Sequence, residues 1–423
     1  MVFRILSLFF CAVLAMTLSQ TTVCQENPQA VGQPDPLINR NGEKVTTAEQ
    51  WKSQRRPEIL ELFRTQMYGM APGRVARSEI RIAQTDKNFL NGKAMRLQLL
   101  IKLKAPSGEV HTIDVMLVVP QGTTPDKKYP VFLGLNFCGN HGIHPDPGIP
   151  LSTKWMPSSG QKGVVNNRAT EAHRGVQASR WPLEQIIDQG FGVATAYYGD
   201  LEEDHKDGWK TGVRSLFPVD GKVGDQLPDH AWGAIGAWGW GLSRIMDALE
   251  IWHTVDAKRV YVHGHSRLGK TALWAGACDE RFAMVISNNS GEGGAALARR
   301  LKGERTADLN RVFPHWYCKN FHQYSGHEEK LPFDQHWLIA CMAPRLVYIA
   351  SASDDAWADP EGEFLAGVHA EPVFQLFHLK GLGTALWPAV QTPVGNSIRY
   401  HLRQGKHDVT SYDWEQWMKA APR

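Results

Sequence analysis

The chain has 423 residues, 43% hydrophobic and 21% charged, with a formal net charge of +3. That balance belongs to a globular protein with a large core. It supplies no basic field for nucleic acid, and the chain shows no internal repeat and no low-complexity segment. Fifteen tryptophans is a high count. Most are expected in the core, and an exposed one in an exported protein is a candidate for stacking on sugar.

In chain order, Arg4 precedes the apolar run Ile5 to Leu18 and then the polar Ser19-Gln20-Thr21-Thr22. A positive start before about 14 apolar residues reads as a secretory signal, residues 1–24, too short for a membrane span. Thr22-Val23-Cys24 is a poor lipoprotein match. The expected location is secreted or periplasmic. Residues 25–45 are polar and Pro-rich and read as a linker or loosely docked arm, before one catalytic domain over 46–423. No other stretch is long and apolar enough to span a bilayer.

A helix is expected from Thr47 to about Met70. Strands follow at Ala94 to Leu103 and Ile113 to Val119, turning at Pro106-Ser107-Gly108. Pro130 to Asn136 reads as a buried strand opening into Phe137-Cys138-Gly139-Asn140-His141-Gly142. Residues 143–180 are loop-like, and inserted loops of that length are usually functional. Then come a strand over Gly192 to Tyr198, a helix over Trp232 to Trp252, the strand Val260-Tyr261-Val262 and a helix from Arg267 to Ala277. Met284 to Ser287 and Leu346 to Ala350 are strands, and Glu363 to Phe377 is a helix. Ile398 to Leu402 is a last strand and Ser411 to Ala420 a last helix. Strands alternating with helices predict an α/β fold, a three-layer α-β-α sandwich on a mostly parallel sheet, with the site at the strands' carboxyl ends.

Of six cysteines, Cys11 and Cys24 fall in the signal region. Cys138, Cys278, Cys318 and Cys341 are widely spaced. Export permits disulfides, but the spacing fixes no pairing, and four buried free thiols are the equal alternative. Cys138, His141 and His144 have a loosely metal-like spacing without an acid or fourth ligand, and no metal site is expected.

The octapeptide Gly264-His265-Ser266-Arg267-Leu268-Gly269-Lys270-Thr271 fits two enzyme classes. As a P-loop it would cradle phosphates on backbone N–H groups, with Lys270 on the terminal phosphates and Thr271 on magnesium. As a nucleophile elbow it would present Ser266 on a sharp strand-to-helix turn. Three features favour the serine. The chain reads as exported, no apolar strand ends cleanly in a second magnesium anchor, and several strands precede the motif.

A serine needs a base and an orienting acid, in the chain order Ser, acid, His. The loop after Leu402 supplies Gly405-Lys406-His407-Asp408. The loop after Ile349 supplies Ser353-Asp354-Asp355. His407 is the expected base and Asp355 the preferred acid, with Asp354 as the alternative; either aspartate could instead cap the following helix. Arg267 can offer its backbone N–H and guanidinium to an oxyanion.

Three segments then resemble the glucuronoyl esterases, carbohydrate esterase family 15. They are Gly264 to Lys270, Asn289-Ser290-Gly291-Glu292-Gly293-Gly294-Ala295-Ala296, and Phe313-Pro314-His315-Trp316. Leu331 to His336, Ala343-Pro344-Arg345 and Asp355-Ala356-Trp357 add to it, so the likeness covers most of the chain from about residue 90. It implies an α/β-hydrolase fold and cleavage, without metal or cofactor, of esters between lignin alcohols and the 4-O-methyl-glucuronic acid of xylan. It implies Ser266 as nucleophile, His407 as base and Arg267 as oxyanion stabiliser, with Lys270, Glu304 and Trp357 as sugar contacts. Fungal members carry a Glu acid where this chain has Asn289. They also carry a disulfide where it has His265 and Lys406. Both departures point to the bacterial branch, with Asp355 as the acid and Glu292 turned elsewhere. The expected protein is monomeric, with a glucuronoxylan or lignin–carbohydrate ester as substrate and neither nucleic acid nor membrane as partner. An acetyl-xylan or general carboxylesterase is the alternative on the same fold. A P-loop NTPase and a catalytically dead sugar binder are the more distant alternatives.

Overall fold

The computed structural model describes residues 32–73, 75, 79–122, 127–158 and 161–422. The expected signal segment, with Cys11 and Cys24, lies outside the described residues. Of the expected linker or arm, residues 32–45 are docked. Leu37 and Val45 are buried in the core. The Pro34 carbonyl accepts from His336 Nε2 at 2.8 Å and Trp337 Nε1 at 2.9 Å, and the Pro36 carbonyl from Arg55 Nε at 2.9 Å.

The strands are β1 (Glu79–Phe89), β2 (Ala94–Lys104), β3 (Val110–Pro120), β4 (Tyr129–Asn136), the short pair β5 (Val164–Val165) and β6 (Arg168–Ala169), β7 (Gly192–Tyr197), β8 (Val255–His265), β9 (Met284–Asn288), β10 (Leu346–Ala352), β11 (Val394–Gly395) and β12 (Ile398–Arg403). All but β5 and β6 join one sheet in the order β1-β2-β3-β7-β4-β8-β9-β10-β12-β11. Its centre, β7 through β12, is parallel, and β1, β2, β3 and β11 are antiparallel to their neighbours. This is the α/β-hydrolase architecture expected from the sequence.

The helices are α1 (Ala48–Gln50), α2 (Arg56–Gln66), α3 (Leu183–Asp188), α4 (Tyr198–Leu201), α5 (Ala234–Glu250), α6 (Arg267–Cys278), α7 (Thr306–Val312), α8 (Gln335–Ala340), α9 (Pro360–Gln375) and α10 (Ser411–Ala420). Successive strand residues point to opposite faces, and the core divides accordingly. Val131, Leu133, Val260, Val262, Val285, Val347 and Ile349 pack with α2, α5, α6, α8 and α9. Phe132, Tyr261, Met284, Ile286 and Tyr348 pack with α3 and α10. Burial on both faces is why these strands read as continuous apolar runs.

The expected first helix is interrupted. It runs as α1, a π turn over Trp51–Arg55, and α2, and stops at Gln66 instead of near Met70. Just beyond it Gly69 has φ +88°, and a Cβ there would stand 2.3 Å from the Trp232 backbone, so the chain turns where only glycine passes. β1 had no expectation. Its residues are mostly exposed and polar, so a sheet edge leaves no alternating pattern to read. The described residues within 143–180 are largely irregular, with the β5–β6 hairpin and short 3₁₀ turns. No helix among the described residues is long and apolar enough to cross a membrane.

Candidate active site

β8 ends at His265 and α6 begins at Arg267, so Ser266 occupies the turn between them with φ +58° and ψ −130°. A non-glycine residue there is strained and persists only where its surroundings fix it. The Ser266 N–H donates to the Asn288 carbonyl at 2.9 Å. A Cβ on Gly264 would lie 1.9 Å from the Leu268 carbonyl oxygen, so glycine is required for strand and helix to meet this closely. The octapeptide is thus folded as a nucleophile elbow. The Lys270 ammonium is held by Glu304 and the Glu292 carbonyl, both at 2.5 Å, and the Thr271 hydroxyl donates to the Arg267 carbonyl. These are the two side chains that a phosphate cradle would need free.

The loops leaving β10 and β12 bring Asp355 and His407 together, with His407 Nδ1 2.6 Å from Asp355 Oδ2. His265, the residue before Ser266, lies with its ring centroid 4.4 Å from that of His407. Asp354 is exposed and accepts from the Ser353 hydroxyl. Glu292 is buried and accepts from the Thr306 hydroxyl. Of the three candidate carboxyls, Asp355 is the one paired with the imidazole. Asn289 donates from Nδ2 to Asp355 Oδ2 at 2.7 Å. Burial pushes the Asp355 carboxyl up, but the hydrogen bonds and charge of His407, with Asn289, outweigh it and hold the group below its ordinary range. Burial, with His407 beside it, holds His265 far below the usual imidazole range, so His265 stays neutral.

The loops themselves are framed by groups that the sequence did not announce. Arg403 donates to the carbonyls of Gln404, Lys406 and Asp408, at 3.1, 2.9 and 2.9 Å. Its Nε is held by Asp413 on α10 at 2.9 Å. The Asp354 N–H donates to the Gly405 carbonyl at 2.9 Å, which ties the acid loop to the histidine loop. Behind them the buried Glu363 of α9 accepts from the N–H groups of Ser290 and Gly291 and from the Ser351 hydroxyl, at 2.7, 3.0 and 2.6 Å. Burial raises its carboxyl to about 8 against those donors.

Arg267 is clamped. Its Nη1 donates to Asp204 Oδ2, and its guanidinium lies 4.7 Å over Trp316 and 5.1 Å over Phe313. Asp204 also accepts from the Tyr198 hydroxyl at 3.1 Å, and from His315 Nε2 and Trp316 Nε1, both at 2.8 Å. Burial pushes this carboxyl up, but Arg267, His315 and Trp316 prevail and hold it well down, so it is a fixed anion. Asp204 escaped the sequence reading because it sits in an irregular polar stretch, far in sequence from all three main partners.

Lys270 stands one helical turn after Ser266 on α6, and only 2% of it is exposed. Its partner Glu304 donates its backbone N–H to the Trp357 carbonyl at 2.8 Å. Lys270, Glu304 and Trp357 are therefore gathered beside the elbow, with the Trp357 ring in solvent. Cys138, His141 and His144 do not converge. His141 pairs with His173 at 2.9 Å, His144 meets the edge of Phe89, and among the described residues no cluster is fit for a metal. The four cysteines from Cys138 onward are free, the second of the two alternatives left open by their spacing; Cys138, Cys318 and Cys341 are buried, while Cys278, which ends α6, is exposed.

The family described as glucuronyl esterase, fungi, matches residues 226–378. The chain is 45% identical to "Carbohydrate esterase MZ0003" of an unknown prokaryotic organism, over 92% of this chain and 88% of that protein. It superposes on the glucuronoyl esterase from Solibacter usitatus with a TM-score of 0.85 at 45% identity, covering 92% of this chain and 97% of that one. A structure described as a promiscuous CE15 esterase from a marine bacterial metagenome matches with a TM-score of 0.84 at 44% identity, covering 92% and 96%.

Proposed function

We propose that this chain, which belongs to the glucuronoyl esterases of carbohydrate esterase family 15 and is thus a carboxylic ester hydrolase, is a secreted, monomeric serine esterase acting on 4-O-methyl-glucuronoyl esters that join xylan to lignin alcohols. The observation that carries the mechanism is the 2.6 Å His407–Asp355 pair, set on the same edge of the sheet as the strained Ser266 elbow.

In this reading the Ser266 hydroxyl attacks the C6 carbonyl of the uronate while His407 takes its proton. Asp355 fixes the imidazole with its proton on Nδ1, leaving Nε2 to act as base. The Arg267 guanidinium and backbone N–H hold the oxyanion. Collapse expels the alcohol, which takes the proton from His407, and leaves the uronyl group on Ser266. Water, deprotonated by His407, then frees the acid. Lys270 and Glu304 meet sugar hydroxyls and Trp357 walls the ring. No cofactor takes part.

The test is hydrolysis of benzyl glucuronate beside an acetyl ester by the wild-type enzyme. Faster uronate cleavage is expected, and activity confined to the acetyl ester would overturn the substrate assignment. A broader carboxylesterase activity alongside is the second reading, favoured by the likeness to the relative described as promiscuous.

The clamp on Arg267 gives a further expectation. Asp204→Asn keeps the shape but removes the charge that orients the guanidinium. It should lower kcat by about 10- to 100-fold with little change in KM, the size of effect that a small misplacement of a catalytic group has. In the Arg267→Ala background it should add little, because the two residues act as one unit. Steady-state kinetics on the four proteins of the cycle checks this, and full additivity would mean that Asp204 acts through something else.

A further inference from the structure

Among the fifteen tryptophans only two are exposed, Trp357 at 57% and Trp387 at 46%. Both stand at the carboxyl edge of the sheet. Trp357 is on the loop after β10. Trp387 is on the loop between α9 and β11, which rises to that edge, since the Gln391 N–H donates to the carbonyl of Leu402 near the end of β12 at 2.7 Å.

Trp387 is exposed but not loose. Its Nε1–H donates to the Tyr400 hydroxyl at 3.2 Å, and that hydroxyl donates to the Pro360 carbonyl at 2.9 Å. Pro360 opens α9 three residues after Trp357. One buried tyrosine thus ties the Trp387 loop to the segment that carries Trp357. The polar end of the indole is satisfied inward while its ring remains in water, and Leu386 beside it is 62% exposed. Keeping a large ring in solvent forgoes the gain of burying it, and a held ring has already lost the freedom that a ligand would otherwise have to remove.

We propose that Trp387 and Leu386 form a second sugar subsite, which takes the pyranose units adjoining the esterified uronate when that uronate is carried on a polysaccharide. The inference rests on the uronate-ester reading above and extends it from one ring to the chain bearing it. Pyranose rings present flat C–H faces that an indole can cover while their hydroxyls stay in water. The Tyr400–Pro360 bond joins the Trp387 loop to the segment that carries Trp357, the wall proposed for the uronate, and the occupant proposed here is the sugar chain and not the departing alcohol.

The experiment compares kcat/KM of wild type, Trp387→Ala and Trp387→Phe on three esters: benzyl glucuronate, a glucuronate ester of a bulkier aromatic alcohol, and a methyl glucuronate ester carried on a xylooligosaccharide. The expected result is that Trp387→Ala lowers the ratio of oligosaccharide to benzyl ester about 10-fold, through KM, a change worth about one 1.4 kcal/mol step. Trp387→Phe, which keeps an aromatic face but loses the anchor, should lie between. An unchanged ratio, or a loss confined to the bulky alcohol ester, overturns the proposal. Wild-type enzyme that cleaves none of the three overturns the uronate reading instead.

Discussion

Ser266→Ala should hydrolyse benzyl glucuronate about 10⁴- to 10⁶-fold more slowly than wild type, the range seen when a nucleophile is removed from a unit that otherwise stands. The substitution removes only a hydroxyl. Ser266 holds φ +58° through the closeness of Gly264 to Leu268 and through its own N–H on Asn288, neither of which needs the side chain. The variant should therefore fold and still bind glucuronate as a product inhibitor. Residual turnover would report what Arg267 and the sugar contacts achieve alone. Stopped assays with product inhibition measure both quantities, and hydrolysis within tenfold of wild type would place the nucleophile elsewhere.

Asp355→Ala should cost about 10³- to 10⁴-fold in kcat, comparable to removing the orienting carboxylate of other serine triads. The loss has two sources. The imidazole is no longer held with its proton on Nδ1, and the imidazolium formed during attack loses its 2.6 Å anion. Asn289 cannot replace it, being a neutral donor that itself points at Asp355. Activity kept in Asp355→Ala would move the acid to Asp354 or Glu292, despite their other partners. The linkage has a definite sign. The folded Asp355 carboxyl lies below its unfolded value, so its pairing stabilises the protein above the ordinary carboxylate range. That stability is lost as pH falls through the lowered value. Denaturation midpoints taken across acid pH should converge for wild type and Asp355→Ala at the low end.

The parts of this molecule that were legible are those where burial imposes a pattern. β4, β7, β8, β9, β10 and β12 are apolar runs because both faces are covered, and Ser266, Asp355 and His407 follow β8, β10 and β12, the strand ends at which the chain order had put them. β1 was not legible, since an exposed edge puts no constraint on its residues. The supporting groups were hidden for a different reason. The Arg403–Asp413, Glu363–Ser290 and Asp204–Trp316 bonds span 10, 73 and 112 residues of chain, and nothing local marks a charged residue as the one that will meet such a partner. The resemblance named Arg267 and Lys270, but their clamping by Asp204 and Glu304 emerged only in three dimensions.

Arg403 and Asp413 also change where the catalytic apparatus ends. His407 is the last residue with a proposed reactive role, yet the carbonyls that shape its loop are gathered by an arginine whose own orientation depends on α10. In design terms, a transplant of residues 404–408 would carry the imidazole without its frame. The smallest portable piece runs from the start of β12 through Asp413, and α10 counts as catalytic scaffolding although none of its side chains is expected to touch substrate.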